Sequence, residues 1–383
     1  MFRFICKTFH HLISAVRHSR CRSIYYVPFH PNSKCLESVY KSTNQRSFAA
    51  SYLINSCGFS PDIAISASRY LKFEDPAKPD SVLAFFKSHG FTKTQISRIV
   101  RIYPFLLSCH PEKALLPKIE FLKSLGMSSA DVALVLSKSP EIFRRSLRNH
   151  IIPSFEFLDN LLQSKEKTLA TIKRHARILV HPRTYAIPNI EILQEAGVPQ
   201  KHIASMFSFY PTLFLSCSNK FREVVQGVKK LGLNPSKATF VVAVRVMRSM
   251  SRSTWKKKLE VYKKWGWSEE EILATFMKFP PIMLTSEDKI MRQMDYLVNK
   301  MGQDSSCIQR RPTVIKLSLE KRIIPRCELH EILLSKGLIN RKNHNLLETL
   351  KYTEERFLKF LNYHDKEAPK LLKLYMEKLA LAK

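Results

Sequence analysis

Glycine is scarce in this chain, with nine residues in 383. Acids are scarce as well: 32 Asp and Glu stand against 63 Lys and Arg, for a formal net charge of +31 and a pI near 9.9. The eight cysteines (6, 21, 35, 57, 109, 217, 307 and 327) form no CxxC pair. That argues against a disulfide framework and for incidental thiols in a reducing compartment. No apolar run is long enough for a bilayer crossing. The most tempting stretch without acid or base, 203–219, is short and contains Pro211 and Asn219, so no membrane partner is expected. GxSxG and HExxH are missing, and GVKKLGLN (227–234) has P-loop glycine spacing without the following Lys-Ser/Thr. Cys109-His110 and Cys327 with His330 are isolated fragments that lack a second ligand pair. Catalysis therefore has no visible seat, and neither a metal nor a cofactor is expected.

What is present is a core-forming composition, 45% hydrophobic, under a strongly basic surface. Of the net charge, +7 lies in residues 1–50 and +24 in the other 333. Such an excess points first to nucleic acid and second to an anionic membrane surface, against the plain alternative of a solvated, highly soluble face. Residues 1–48 read as an organelle transit peptide. Phe2, Ile5, Phe9, Leu12, Ile13 and Val16 recur at helical spacing, Arg3, Lys7, His10 and Arg17 take other positions, and acid is absent until Glu37. RSFAAS (46–51) resembles a plant mitochondrial presequence site cut after Phe48, so a mitochondrial address is expected, with the chloroplast as the alternative.

Eight of the nine glycines fall on a grid: Gly58, Gly90, Gly126, Gly197, Gly232, Gly266, Gly302 and Gly337. Successive gaps are 32, 36, 71, 35, 34, 36 and 35, the 71 being two periods with a glycine missing near residue 162. Each glycine is expected to end one helix in a left-handed cap, with the next helix starting two residues later. Capping boxes are expected at Thr92/Gln95, Ser128/Asp131 and Ser268/Glu271, with Phe91/Ile96, Met127/Val132 and Trp267/Ile272 as hydrophobic staples. Pro61 and Pro235 are placed at the first helical position after the caps Ser60 and Asn234.

Prolines keep the same phase. Pro104, Pro140, Pro211 and Pro280 each follow their glycine by fourteen residues, Ala176 and Val246 take that place in two frames, and Pro312 comes after ten. A second proline follows at 117, 153, 188 and 325. Each unit thus reads as a first helix of about ten residues, a proline break, a short apolar turn and a second helix. A unit of about 35 residues cannot bury its apolar face alone, so neighbours must stack. The expected fold is an all-α solenoid over 49–340, closed by a helical C-terminal cap over 341–383.

The unit G-(F/M/W)-(S/T)-x-x-(D/E/Q)-(I/V) followed by P-x-(L/I/V)-(L/F/M) resembles the mitochondrial transcription termination factor (mTERF) family, in its plant organellar branch. The resemblance implies repeats of two α-helices plus a short 3₁₀ helix, coiled into a superhelix with a basic groove. It also implies organellar nucleic-acid binding in transcription termination or regulation on double-stranded DNA, or in RNA splicing and transcript stability. Ala176 and Val246 depart from the proline pattern, and their repeats are expected to bend differently.

Lys113, Lys220, Lys289 and Lys321 each lie nine residues after a phase-marking proline, a spacing that would ladder them along one face toward a phosphate backbone. Convex solvated lysines are the alternative. Denser clusters are Arg144, Arg145 and Arg148; Arg245, Arg248, Arg252 and Lys256, with Lys257, Lys258, Lys263 and Lys264; Lys173, Arg174, Arg177 and Arg183; and Arg310, Arg311 and Lys316. Arginine favours bidentate phosphate contacts. Phe143, Tyr185 and Trp255 would offer stacking faces to an unpaired base, although aromatics at helical spacing usually belong to the core. The chain is expected to act as a monomer on DNA or structured RNA, with a protein-binding scaffold as the remaining reading.

Overall fold

The computed structural model describes residues 48–381, apart from 70, 72, 181, 341–343 and 364–366. The expected transit peptide lies outside the described residues except for Phe48. Every described element is helical, and the repeats stack as an all-α solenoid. The described residues group into two units, one of residues 48–195 with 199–221, the other of residues 222–381 with 196–198.

In the first unit the first helices are Lys93–Ile102, Ser129–Lys138, Lys165–Arg174 and Gln200–Phe209, ten residues each. The boxes Thr92/Gln95 and, in the second unit, Ser268/Glu271 close in both directions. Ser128 accepts from the Asp131 N–H at 3.1 Å, but that box stays half-formed. The short Asp131 carboxylate pairs with Lys173 at 2.6 Å instead. All three staple pairs are buried.

All eight grid glycines have positive φ, from 62° to 97°. At the missing ninth position stands Gln163, with φ 50° and ψ 33°, the only non-glycine residue with positive φ among those described. The helix Ile152–Leu162 therefore ends in the same left-handed cap although its side chain pays a steric cost there.

The proline turns are 3₁₀ helices at Pro104–Ser108, Pro140–Arg144, Pro280–Leu284 and Pro312–Lys316, and a single α-turn at Pro211–Phe214. The residue before each turn (Tyr103, Ser139, Tyr210, Phe279, Arg311) is held near φ −126° to −141° and ψ 52° to 75°, outside the helical region that a following proline disfavours. Leu106, Leu107, Ile142, Phe143, Ile282, Met283, Val314 and Ile315 point inward from these turns and are buried, each worth about 1.5–3 kcal/mol. Ala176 carries the same turn without proline: Ala176–Leu179 is 3₁₀, and His175 has φ −137° and ψ 64°. Val246 does not. Helix Ala238–Ser249 runs straight through it, because a valine keeps the N–H that proline lacks.

Pro235 also departs from expectation. Asn234 Oδ1 accepts from Ser236 N at 2.9 Å and its carbonyl accepts from Lys237 N at 3.0 Å. This Asx turn holds 234–237 out of the helix, which starts at Ala238 with Lys237 as its cap.

The second prolines sit inside second helices, where a proline ring clashes with the carbonyl four residues back. Each is accommodated by a restart. Pro153, Pro188 and Pro325 are the second residues of α-helices that follow π-turns at Leu147–Ile151, Pro182–Ala186 and Leu319–Ile323. Pro117 follows the short helix Pro111–Ala114 in the same way. The wider turn removes the clash.

Directly after each second proline comes a buried polar residue: Lys118, Ser154, Asn189 and Arg326. Lys258 and Gln293 are buried in two of the second helices without that proline, Arg252–Lys263 and Glu287–Met294. Asn189 donates to the carbonyls of Phe214 and Ser216 at 2.8 Å each, Lys258 to Thr285, Gln293 to Leu317, and Arg326 to Tyr352 at 2.6 Å. Turn carbonyls without a helical partner are thus satisfied from the preceding repeat, the condition for burying them. In the second unit, helices Glu354–Asn362 and Ala368–Leu381 pack Phe357, Leu361, Leu371 and Tyr375 against Leu329 and Leu333 of Ile324–Ser335.

Candidate nucleic-acid interface

Each proline turn joins the C-terminal end of a first helix to the N-terminal end of a second helix. The glycine turns join the opposite ends. The proline turns of each unit therefore form one edge, and neighbouring turns touch. In the first unit Arg144 lies 5.5 Å from the ring centroids of both Tyr103 and Phe105. Lys138 Nζ donates to the Lys173 carbonyl at 3.3 Å, and Arg177 pairs with Glu141 at 3.7 Å. Arg174 donates to the Ser208 carbonyl at 3.1 Å, with its guanidinium 5.9 Å from the Phe209 ring.

The four spaced lysines occupy one structural position, the third residue or first turn of a second helix. Ser286 Oγ accepts from Lys289 N, and Ser318 Oγ accepts from Lys321 N. Lys113 follows the cap His110 by three, and Lys220 lies in the first turn of Ser218–Lys230. A cation there opposes the helix dipole, whose positive end is the N-terminus. Helix stability does not explain its recurrence. Lys113 and Lys321 are exposed, and Lys220 and Lys289 half-buried.

In the second unit Lys289 Nζ donates to the Lys316 carbonyl at 2.9 Å beside a cleft of about 290 Å³ lined also by Arg292, Gln293 and Glu320. Burial first, and the Lys316 charge second, hold the Lys289 ammonium pKa below its usual value. Arg292 is tied to Glu320 at 3.0 Å and to Asp288 at 3.1 Å. Arg311 is half-buried in a 2.5 Å ion pair with Glu348.

Of the remaining candidates, Arg144, Arg148, Arg174, Arg252, Lys256 and Lys257 are exposed, while Arg145, Arg177, Arg245 and Arg248 are half-buried. Lys263 and Lys264 are exposed at the far end of Arg252–Lys263, where Lys263 pairs with Glu269. The side chain of Arg183 lies outside the described residues. Lys258 leaves the surface cluster: it is 6% exposed, bonded to Thr285, and its ammonium pKa is lowered by burial. Two stacking candidates are also corrected. Phe143 packs edge-on against Phe86 at 5.7 Å and Trp255 against Phe276 at 5.3 Å, both in the core.

The aromatics that reach solvent at this edge are others: Phe105 at 40% exposure, Phe209 at 58% and Tyr210 at 38%. Their signal in the sequence was position. They flank phase-marking prolines, whereas Phe143 occupies the inward position of its turn. Among the described residues no group of three or more His, Cys, Asp and Glu could hold a metal ion, and no helix is long and apolar enough to cross a membrane.

The family model described as mTERF matches the chain twice, over residues 83–242 and 179–358. Transcription termination factor MTERF8, chloroplastic, of Arabidopsis thaliana is 23% identical over 264 residues, covering 68% of this chain and 51% of the relative. Transcription termination factor MTERF15, mitochondrial, of the same plant is 23% identical over 262 residues, covering 68% and 50%. The chain spans about half the length of these curated relatives. The two matches to the family model together cover more than half of the sequence, and the chain belongs to the mTERF family.

Proposed function

We propose that this protein binds organellar nucleic acid along its proline edges and regulates organellar gene expression, with docking on double-stranded DNA to terminate or modulate transcription as the first mechanism. The observation that carries the reading is the lysine placed at a second-helix N-terminus, against the helix dipole, twice in each unit: Lys113 and Lys220 in the first, whose proline edge also holds Arg144, Arg148 and Arg174, and Lys289 and Lys321 in the second. A phosphate backbone is the chemistry that rewards such an arrangement. Positioning a clamp or roadblock requires no bond making, so the protein acts without a catalytic step, a metal or a cofactor. The family and the organellar names of its relatives, one chloroplastic and one mitochondrial, support an organelle, the mitochondrion on the leader's composition or else the plastid. Residues 1–48 act as the transit peptide, 49–340 as the binding solenoid and 341–383 as the helical cap, in a monomer.

A second reading, RNA binding in intron splicing or transcript stability, is favoured by the exposed aromatics beside the arginines. The test is equilibrium binding of the full chain to duplex DNA and to structured RNA across salt. Affinity is expected to fall by orders of magnitude between about 50 and 200 mM salt. Lys113→Met and Lys321→Met should each reduce the salt slope by about one. Salt-independent binding, or none, would overturn the reading in favour of a protein scaffold.

A further inference from the structure

Phe105 and Phe209 are not required by the turns they flank. The position of Phe105, one residue after the turn begins, holds Glu141, Arg177, Thr212, Pro281 and Thr313 in other repeats. The position of Phe209 holds Lys138, Arg174, Lys278 and Arg310, and in one repeat the half-buried Ile102. The same backbone forms with Ser139 or His175 before the turn as with Tyr103 or Tyr210. Large apolar rings held in water at positions that are polar in most other repeats oppose the hydrophobic driving force. They also stand beside the cations Arg144 and Arg174, a poor surface for an apolar protein partner.

We propose that the proline edge of the first unit is a stacking site for unpaired nucleobases, with the pairs Tyr103/Phe105 and Phe209/Tyr210 as its two platforms and single-stranded nucleic acid as its ligand. Each platform carries an arginine: Arg144 lies 5.5 Å from both rings of the first, and Arg174 lies 5.9 Å from Phe209. An arginine held over an aromatic face keeps in-plane N–H groups for a phosphate oxygen, so a ring and a backbone contact are placed side by side. The platforms belong to the first and the last of four successive turns, 104–108, 140–144, 176–179 and 211–214, and the two turns between them carry Arg144, Arg145 and Arg177. A duplex hides its base faces in its own stack, and a single strand offers them. The chemistry thus selects single strands, to which aromatic platforms add sequence-tolerant affinity.

This inference rests on the nucleic-acid reading above and sharpens which strand form this edge takes. The test uses the full chain and three labelled 20-nucleotide probes of one mixed sequence: single-stranded RNA, single-stranded DNA and duplex DNA. Phe105→Leu and Phe209→Leu keep an apolar side chain and remove the π-face. Each is expected to weaken single-strand binding about five- to a hundredfold and to leave duplex binding within about twofold, with Phe105→Tyr and Phe209→Tyr restoring it. Unchanged single-strand affinity, or an equal loss on duplex, overturns the proposal while leaving nucleic-acid binding intact. Failure of the unsubstituted chain to bind any probe overturns both.

Discussion

Arg326, wholly buried in its helix, donates to the Tyr352 carbonyl at 2.6 Å and pairs with Glu354 at 2.8 Å. Its guanidinium also lies 4.3 Å from the Phe357 ring. One side chain therefore holds the end of one helix pair to the helices that follow. Arg326→Ala leaves buried carbonyls unpaired and opens a cavity, and should cost about 3–5 kcal/mol in urea unfolding. Glu354→Gln should cost less than about 1 kcal/mol, because that carboxylate is half-exposed.

Lys256, Lys257 and Lys258 are sequence neighbours with different fates. The first two face solvent and the third is bonded to Thr285. Lys256→Met should lower the salt slope of nucleic-acid binding by about one. Lys258→Met should leave affinity and slope unchanged. Titrations of both variants at several salt concentrations check this, and an equal loss in the two would contradict the assignment.

Gln163 adopts the left-handed conformation that eight glycines adopt elsewhere. Gln163→Gly should raise stability by about 1 kcal/mol, since glycine relieves the steric penalty at that φ. A shift of the urea midpoint to higher concentration, with an unchanged slope, is the expected observation.

Ala176 and Val246 occupy the proline phase but differ in backbone. Ala176→Pro should be tolerated, within about 1 kcal/mol of the unsubstituted chain, because the turn and its preceding residue are already in proline-compatible geometry. Val246→Pro should cost about 3 kcal/mol or more, as it removes a helical hydrogen bond inside Ala238–Ser249. Thermal unfolding of the two variants side by side provides the comparison.

His175 has its pKa lowered, first by burial and then by the charges of Arg174 and Lys138. The unfolded chain therefore binds a proton more readily than the folded one. The stabilisation is fully present above the ordinary histidine pKa of 6.5 and is lost as pH falls through the lower folded value. His175→Asn should flatten the stability profile below pH 6.5, measured as urea midpoints. An unchanged slope would show that this imidazole is not linked to folding.

The repeat was legible in the sequence because its signals are local. A glycine in the left-handed region, a Ser or Thr cap answered three residues later, and a proline opening a 3₁₀ turn all act within a few residues of backbone. Thr92/Gln95, Ser268/Glu271 and the inward Leu106 and Leu107 follow from that chemistry. The second prolines also carried a signal, since the residue after each is a buried polar group, but the partners differ: Lys118 and Ser154 donate to carbonyls four residues back, whereas Asn189 and Arg326 reach carbonyls about 25 residues away. Tertiary packing alone decided which of the many cations remain at the surface. It buried Lys258 against Thr285, tied Arg311 to Glu348 and set Arg144 between Tyr103 and Phe105. It also sent Phe143 and Trp255 inward while leaving Phe105 and Phe209 in water. Side-chain direction on a stacked helix is fixed by the neighbouring repeat, and a basic stretch read along one chain does not contain that neighbour.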